Sequence, residues 1–130
     1  MRAVIQRVAK ASVTVEGAVV SSIGPGLLVL VGIRDGDNRD DLEWCANKVL
    51  KARLFPRAGA EEEGAGKPWD SNVMQAGLEM LFVSQFTLYA FFKGNKPDFH
   101  KRWRRRMQRL STRSSSRTRV ARCTKGRPTG

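Results

Sequence analysis

Residues 78–88, LEMLFVSQFTL, are the stretch around which the fold and the candidate site are built. Bulky, β-branched and aromatic residues fill its first half, which predicts a strand covered on both faces. The polar side chains of Ser84, Gln85 and Thr87 then follow in quick succession. Because buried polar groups need partners or face a cleft, this strand end is a candidate site. The alternative is a strand that runs into a solvated turn.

Length and composition indicate one soluble domain. The 130 residues are enough for a hydrophobic core, and no apolar run approaches the ~20 residues that span a bilayer. Basic and polar residues interrupt the opening MRAVIQRVAKASV, so no secretory signal peptide is predicted. The two cysteines, Cys45 and Cys123, show neither metal-ligand spacing nor a disulfide scaffold. We therefore expect a cytoplasmic protein without a membrane partner, a metal or a cofactor.

The net charge of +12 is confined to the C-terminal part of the chain. Residues 1–100 contain 12 Lys and Arg and 12 Asp and Glu, whereas residues 101–130 contain the other 12 of the 24 basic residues and no acid. The chain is therefore interpreted as a neutral domain over 1–100 followed by a basic tail over 101–130. The tail is Arg- and Ser-rich with few apolar residues, so residues 111–130 are predicted to be disordered.

Short strands joined by glycine-containing turns are predicted over the first third of the chain. Residues 2–8, continuing through 12–15, and then 19–23 and 27–33 have β patterns. The turn signals between them are Glu16-Gly17 and Gly24-Pro25-Gly26. Strands in this arrangement favour an antiparallel meander.

A helix is predicted from Asn38, its N-cap, to about Leu54. Asp40 and Asp41 lie in its first turn, where carboxylates suit the helix dipole. Its apolar stripe consists of Leu42, Cys45, Ala46, Val49 and Leu50. Cys45 is interpreted as a small core residue on this stripe, and the alternative is a nucleophile.

Three acidic or basic candidates have simpler explanations. Glu61, Glu62 and Glu63 lie in a Gly- and Pro-rich loop over 56–68, which favours a solvated insertion over a metal site. Glu79 is either a general base or a carboxylate at a strand edge. His100 is either a catalytic base or an incidental residue at the start of the tail.

Several segments together carry a resemblance to a known family. They are MRAVIQRVAKASVTV at the start, SSIGPGLLVLVGI at 21–33, WDSNVM at 69–74, VSQFTLYA at 83–90 and KGNKPDFH at 93–100. Over residues 1–100 the chain resembles the D-aminoacyl-tRNA deacylases (the D-tyrosyl-tRNA deacylase family). The Gln-Phe-Thr sequence within SQFTL resembles the motif of the D-aminoacyl enzymes. The related deacylase has Pro-Gln-Ala-Thr in its motif instead.

The resemblance implies a fold and a partner. It implies an α+β protein whose antiparallel sheet forms a barrel-like core with packed helices. It implies a homodimer with its sites at the subunit interface. The implied reaction hydrolyses the ester that joins a D-amino acid, or glycine, to the 3′-terminal adenosine of tRNA, a proofreading step of translation.

The resemblance also implies roles for individual residues. Residues 84–88 would line the aminoacyl pocket, with backbone N–H groups around Phe86 acting as an oxyanion hole. Thr87 would lie near the ester, in a positioning role rather than as a nucleophile, because no His or Lys stands beside it in sequence. The 2′-OH of the tRNA would then assist water. The implied catalytic set is Ser84, Gln85, Phe86 and Thr87, and the implied substrate-binding set is Arg7, Leu88, Lys93 and Asn95.

The chain departs from the family after His100. Members carry an Asn-x-Gly-Pro-Val-Thr segment whose Gly-Pro enters the partner's site and excludes L-amino acids, and this sequence has no such segment. Gly24-Pro25 lies in an early turn and is no substitute. We therefore expect a fold truncated at its C-terminus relative to the family.

The tail has two interpretations. It is either a nucleic-acid-binding arm, in which Arg102, Arg104, Arg105 and Arg106 contact phosphates, or the product of an alternative exon or a shifted reading frame. Two functions follow: a deacylase, intact or impaired, and a catalytically silent protein that binds RNA or DNA through the tail.

Overall fold

The computed structural model describes residues 1–57, 67–100 and 121–123. Its elements, in chain order, are β1 (Arg2–Val8), β2 (Ala11–Val15), β3 (Ala18–Ile23), β4 (Gly26–Gly32), α1 (Arg39–Lys51), β5 (Arg53–Phe55), β6 (Ser71–Asn72), β7 (Glu79–Ser84), a 3-10 helix (Phe86–Tyr89), β8 (Phe91–Lys93), β9 (Lys96–Asp98) and β10 (Ala121–Cys123). None of the described helices is long and apolar enough to cross a membrane.

The main sheet has four strands in the order β1-β4-β7-β10. β1 is antiparallel to β4, β4 is parallel to β7, and β10 is antiparallel to β7. The predicted meander is therefore wrong, because β2 and β3 form a separate hairpin and β1 pairs with β4. The most apolar strand, β4, gains a partner on each edge and becomes a central strand, whereas a meander would have placed the hairpin beside it.

The core lies between the main sheet and α1. Its fully or nearly fully buried members are Leu27, Val29, Val49, Phe55, Val73 and Met80. Burial alternates along β4, where Leu27 and Val29 are buried and Leu28 and Leu30 are half-buried. One face of the sheet is thus more completely covered than the other.

The predicted α+β class is confirmed, but three details of it differ. The main sheet is mixed and not antiparallel throughout, because β4 is parallel to β7. A single α-helix packs on the sheets of the described residues, where several helices were expected. The same residues form one four-stranded and three two-stranded sheets, not a closed barrel, and β1 is left as an open edge.

The cap of α1 is confirmed. The Asn38 side chain accepts hydrogen bonds from the backbone N–H groups of Asp40 and Asp41, and the Asp41 carboxylate accepts from the Asn38 N–H, forming a capping box. The helix ends at Lys51, earlier than predicted, because Arg53–Phe55 pairs with β6. Leu42, predicted to be a core residue, is 49% exposed, since only the C-terminal half of the stripe reaches the sheet.

The organising strand is confirmed as β7. Met80 and Leu81 point to opposite faces and both are buried, so this part of the strand is covered on both sides. β7 ends at Ser84, and residues 86–89 form the 3-10 helix. In the segment predicted to be disordered, Ala121–Cys123 instead forms β10 on the edge of β7, because that edge has unpaired backbone groups to offer. The rest of 101–130 lies outside the described residues.

Candidate active site

The candidate site is formed where β7 ends and the 3-10 helix begins. Ser84 and Phe86 are exposed, and Gln85, Thr87 and Leu88 are half-buried. The side-chain amide of Gln85 donates a hydrogen bond to the Thr87 Oγ1 at 2.5 Å. The Gln85 N–H donates to the Val31 carbonyl at 2.8 Å, which ties the segment to the end of β4. The polar residues of this strand end therefore have specific partners and are not a loosely solvated turn.

The Gln85–Thr87 bond limits what the threonine can do. Because its oxygen accepts from an amide, the Thr87 hydroxyl keeps its own proton available for donation to another group. Among the hydrogen bonds and ion pairs of the described residues, none joins the Thr87 hydroxyl to a charged group. A hydroxyl without an adjacent base is a weak nucleophile, so the geometry suits positioning of a substrate or a water.

Two backbone bonds narrow the predicted oxyanion hole. The Gln85 N–H is bonded to Val31, and the Leu88 N–H donates to the Gln85 carbonyl at 3.3 Å. These two N–H groups are therefore committed to the fold. These two groups therefore do not contribute to the oxyanion hole expected around Phe86, whose role stays a prediction.

Arg2 holds the other end of the 3-10 helix, and sequence reasoning missed it. Its Nη1 donates to the Leu88 carbonyl at 2.8 Å. Its guanidinium lies 4.6 Å from the ring centroid of Tyr89 and 5.8 Å from that of Phe91. Burial raises the pKa of the Tyr89 phenol, so this ring is a neutral platform for the cation.

Arg7 lies elsewhere. Its Nη1 donates to the Leu54 carbonyl at 3.0 Å, and its guanidinium lies 5.4 Å from the Phe55 ring and 5.7 Å from the Trp69 ring. The structure therefore does not bring Arg7 to residues 84–88 in this chain. The assignment of Arg7 to substrate binding stays a prediction. Arg2, and not Arg7, is the arginine of β1 that contacts residues 84–88.

Lys93 and Asn95 lie on the β8–β9 hairpin, which touches the candidate site through an aromatic pair. The Phe99 ring meets the Phe86 ring edge-on, with centroids 5.4 Å apart. Lys93 lies on β8 and forms an ion pair of 2.9 Å with Asp98, and Asn95 is exposed in the connecting turn. The hairpin is therefore positioned beside the exposed side of the site.

His100 also pairs with Asp98. Its Nδ1 and its backbone N–H each lie 2.9 Å from a carboxylate oxygen of that residue. Lys93, followed by these His100 groups, holds the pKa of Asp98 well below its usual range. His100 is thus engaged in the hairpin, and it contacts no part of 84–88 by a described hydrogen bond.

The remaining candidates stay apart from the site. Cys45, predicted to be a small core residue, is a free thiol on α1 that is only half-buried. Glu79 lies at the opposite end of β7 from Ser84. The described residues contain no group of three or more His, Cys, Asp and Glu side chains that could hold a metal ion. Glu61–Glu63, Arg102, Arg104, Arg105 and Arg106 lie outside the described residues.

The family model and the curated relatives agree on the family. The family model for D-Tyr-tRNA(Tyr) deacylase matches residues 4–126. A D-aminoacyl-tRNA deacylase of Drosophila melanogaster is 58% identical over 99 residues, which are 76% of this chain and 58% of that protein. The human D-aminoacyl-tRNA deacylase 1 is 49% identical over 100 residues, which are 77% of this chain and 45% of the human protein.

A solved structure is also similar. The structure of a c-Myc DNA Unwinding Element Binding Protein matches with a TM-score of 0.68 and 48% identity, covering 78% of this chain and 64% of that one. The chain thus spans about half to three fifths of the length of the two curated relatives described above. Because the family model covers nearly the whole chain and the SQFTL segment forms the strand end described above, this protein belongs to the D-Tyr-tRNA(Tyr) deacylase family.

Proposed function

We propose that this chain hydrolyses the ester bond of D-aminoacyl-tRNA, including glycyl-tRNA mischarged on tRNA-Ala, to free amino acid and tRNA. The observation that carries the proposal is the Gln85–Thr87 hydrogen bond at the exposed end of β7. It stands in a chain whose relatives are named D-aminoacyl-tRNA deacylases. The activity is a proposal because the chain spans only 58% and 45% of the length of these two relatives.

The chemistry needs little from the side chains. Water attacks the ester carbonyl, a new carbon–oxygen bond forms, and the bond to the 3′ oxygen of the tRNA breaks. Thr87, oriented by Gln85, donates a hydrogen bond from its hydroxyl group and so positions the ester or the water, and the proton that the water loses is taken up by the 3′ oxygen that leaves. Backbone N–H groups around Phe86 are the candidates for stabilising the oxyanion, and the 2′-OH of the tRNA assists the attack.

The partners belong to the same proposal. We propose tRNA as the substrate, a homodimer as the assembly and the cytoplasm as the location. The dimer is supported by the open edge strand β1, on which Val4 is 47% and Ile5 38% exposed. An exposed apolar edge strand is a surface that proteins cover with another chain or element.

A second function is favoured by the charge of the tail. The similar solved structure is of a protein named for binding a DNA unwinding element, and 12 basic residues lie in residues 101–130 of this chain. RNA or DNA binding through the Arg-rich tail, from Arg102 to Arg127, is therefore the alternative. Neutralising five phosphates implies a log–log salt slope of about −3.5 to −4.5, and a flat salt response would exclude it.

The decisive experiment is hydrolysis of D-tyrosyl-tRNA and L-tyrosyl-tRNA by the purified chain. We expect cleavage of the D form, a reduction of about tenfold to a hundredfold in Thr87→Ala, and recovery in Thr87→Ser, which keeps the hydroxyl. Thr14→Ala, an exposed threonine on β2, is the matched control. A folded chain that cleaves neither substrate would refute the proposed activity, and cleavage of both would show a hydrolase without stereochemical selection.

A further inference from the structure

The β8–β9 hairpin places two lysines directly opposite each other. Lys93 pairs with Lys96 across a two-residue Gly94-Asn95 turn. Side chains at such a position lie about 5 Å apart at Cβ, and like charges there destabilise a hairpin. Strands of only three residues each have little pairing energy with which to offset that repulsion. The Lys93–Lys96 pair therefore lowers the stability of the hairpin, and the pairing of the two short strands gives no reason for having two lysines there.

Only one of the two lysines has an acidic partner. Lys93 is held by Asp98 at 2.9 Å, and the ion pairs of the described residues include none for Lys96. Asp98 also accepts from His100, so its charge is shared between two neighbours. The tip of the hairpin thus keeps an excess of positive charge, with Lys93 fixed in direction and Lys96 uncompensated.

A cavity lies beside these charges. It has a volume of about 340 Å³ and is lined by Lys93, Lys96, Pro97, Asp98 and Phe99. This is within the size range of small-molecule sites, which begins at about 300 Å³. Two cations, an aromatic ring and a proline ring are the groups that meet phosphate, base and sugar in single-stranded nucleic acid.

The cavity borders the candidate active site. Phe99 forms one wall of the cavity, and its ring packs against the Phe86 ring with centroids 5.4 Å apart. Thr87 follows Phe86 directly in the chain, so an RNA strand whose 3′ end reaches Thr87 has this hairpin as a neighbour. Lys93 and Lys96 are exposed on this hairpin and are accessible to the phosphates of such a strand.

We propose that the β8–β9 hairpin is a phosphate-binding site for the RNA strand whose 3′ end enters the active site. This inference rests on the proposed deacylase function and specifies how its substrate is held. Lys96 supplies the uncompensated charge, Lys93 supplies a second contact oriented by Asp98, and Phe99 offers its ring to the sugar or base.

The test is the salt dependence of tRNA binding by the full chain. Uncharged, fluorescently labelled tRNA is titrated at several salt concentrations with wild type, Lys93→Gln and Lys96→Gln. The loss of one phosphate contact reduces the log–log slope by about 0.7–0.9, which at 0.1 M salt is a loss of affinity of about fivefold to eightfold. Lys96→Arg keeps the charge and is expected to bind like wild type.

Lys10→Gln is the matched control, because Lys10 is exposed and follows Val8 at the far end of β1. Unchanged slopes in both Lys93→Gln and Lys96→Gln would overturn the inference, as would a loss of affinity that Lys10→Gln reproduces. A loss of affinity without any change of slope would also overturn it, since it would reflect folding and not charge.

Hydrolysis separates this inference from the function on which it rests. With D-tyrosyl-tRNA, Lys96→Gln is expected to raise KM about fivefold while kcat stays unchanged. If wild type binds tRNA through these lysines but hydrolyses nothing, the proposed function fails and the binding site stands. If wild type hydrolyses its substrate and the lysine variants match it in KM and slope, the function stands and the binding site fails.

Discussion

Gly32 is the residue whose substitution should disturb the candidate site most directly without touching it chemically. It is the last residue of β4 and is buried beneath the 3-10 helix. A Cβ at this position would lie 2.8 Å from the Leu88 Cβ, 3.2 Å from the Gln85 carbonyl oxygen and 3.2 Å from the Tyr89 ring. The Gly32→Ala variant must therefore push the 3-10 helix away from the sheet.

The size of the effect follows from these distances. Carbon atoms in contact lie about 3.5–4.0 Å apart, so the Leu88 Cβ must move by roughly 0.7 Å or more. Overpacking of this kind costs about 1–3 kcal/mol of folding free energy. Gly32 is not among the glycines with positive φ, so the cost is steric and does not come from an unfavourable backbone conformation.

In Gly32→Ala, the rate of hydrolysis should be affected more strongly than the free energy of unfolding. Thr87 lies on the helix that moves, and misplacement of a reacting group by about 1 Å can cost about a hundredfold in rate. We expect Gly32→Ala to lower kcat for D-tyrosyl-tRNA by about tenfold to a hundredfold and to lower Tm by at least about 3 °C. Thermal unfolding and steady-state hydrolysis are measured on the same preparation.

Gly24→Ala is the matched control, because a Cβ there would meet nothing within 4 Å and the backbone again lacks positive φ. It should keep wild-type activity and leave Tm unchanged or slightly raised, since alanine restricts the unfolded chain. Wild-type kcat in Gly32→Ala would refute the reasoning, because the 3-10 helix could then move without consequence for catalysis. Equal losses in both variants would refute it as well.

Two further predictions concern charged residues. Arg2→Met removes the donor to the Leu88 carbonyl and should lower kcat more than it changes KM, whereas Arg39→Met, which removes a highly exposed arginine on α1, should leave both unchanged in the same hydrolysis assay. Asp37 accepts from the Arg34 N–H and pairs with the Met1 ammonium at 2.9 Å, and these contacts outweigh burial and lower its pKa from 3.8. A carboxylate with a lowered folded-state pKa contributes stability above its unfolded pKa and loses it as the pH falls through the folded value, so Tm should drop below about pH 4 in wild type and less steeply in Asp37→Asn. An Asp37→Asn profile parallel to that of wild type would count against the ion pair.

Local sequence patterns were sufficient to predict those parts of the structure whose contacts join residues close together in the chain. Asn38 was predicted as the N-cap of α1, and its side chain accepts hydrogen bonds from the Asp40 and Asp41 N–H groups. The change from apolar to polar residues at Ser84 located the end of β7. In each case the partners lie within one turn or one strand, so spacing alone determines the contact.

Non-local pairing was not predictable in the same way. The sequence of residues 2–33 does not predict that β1 pairs with β4 and not with the β2–β3 hairpin. That pairing depends on β7, which lies on the other edge of β4. The exposure of Leu42 has the same origin. A helical stripe gives the apolar face of α1, but how far the sheet extends beneath it is a property of the packed sheet.

The positions of the two arginines of β1 follow from the register of strand pairing and could not be predicted from the sequence alone. Arg2 pairs with Gly32 and Arg7 with Leu27, and β4 in turn aligns Val31 with Ser84 and Leu27 with Met80. Five residues of strand separate the arginines, which is about 17 Å along the sheet, and an odd separation places their side chains on opposite faces.

One arginine must therefore face α1 and β5, and the other must lie near the end of β7. Arg7 does the first, through the Leu54 carbonyl, and Arg2 does the second, through the Leu88 carbonyl. The resemblance to a family gives a residue type and a strand, but only the pairing of β1 with β4 decides which arginine reaches the candidate site. Arg2 therefore contacts the 3-10 helix that carries Thr87, whereas Arg7 is bonded to Leu54 on the opposite face of the sheet.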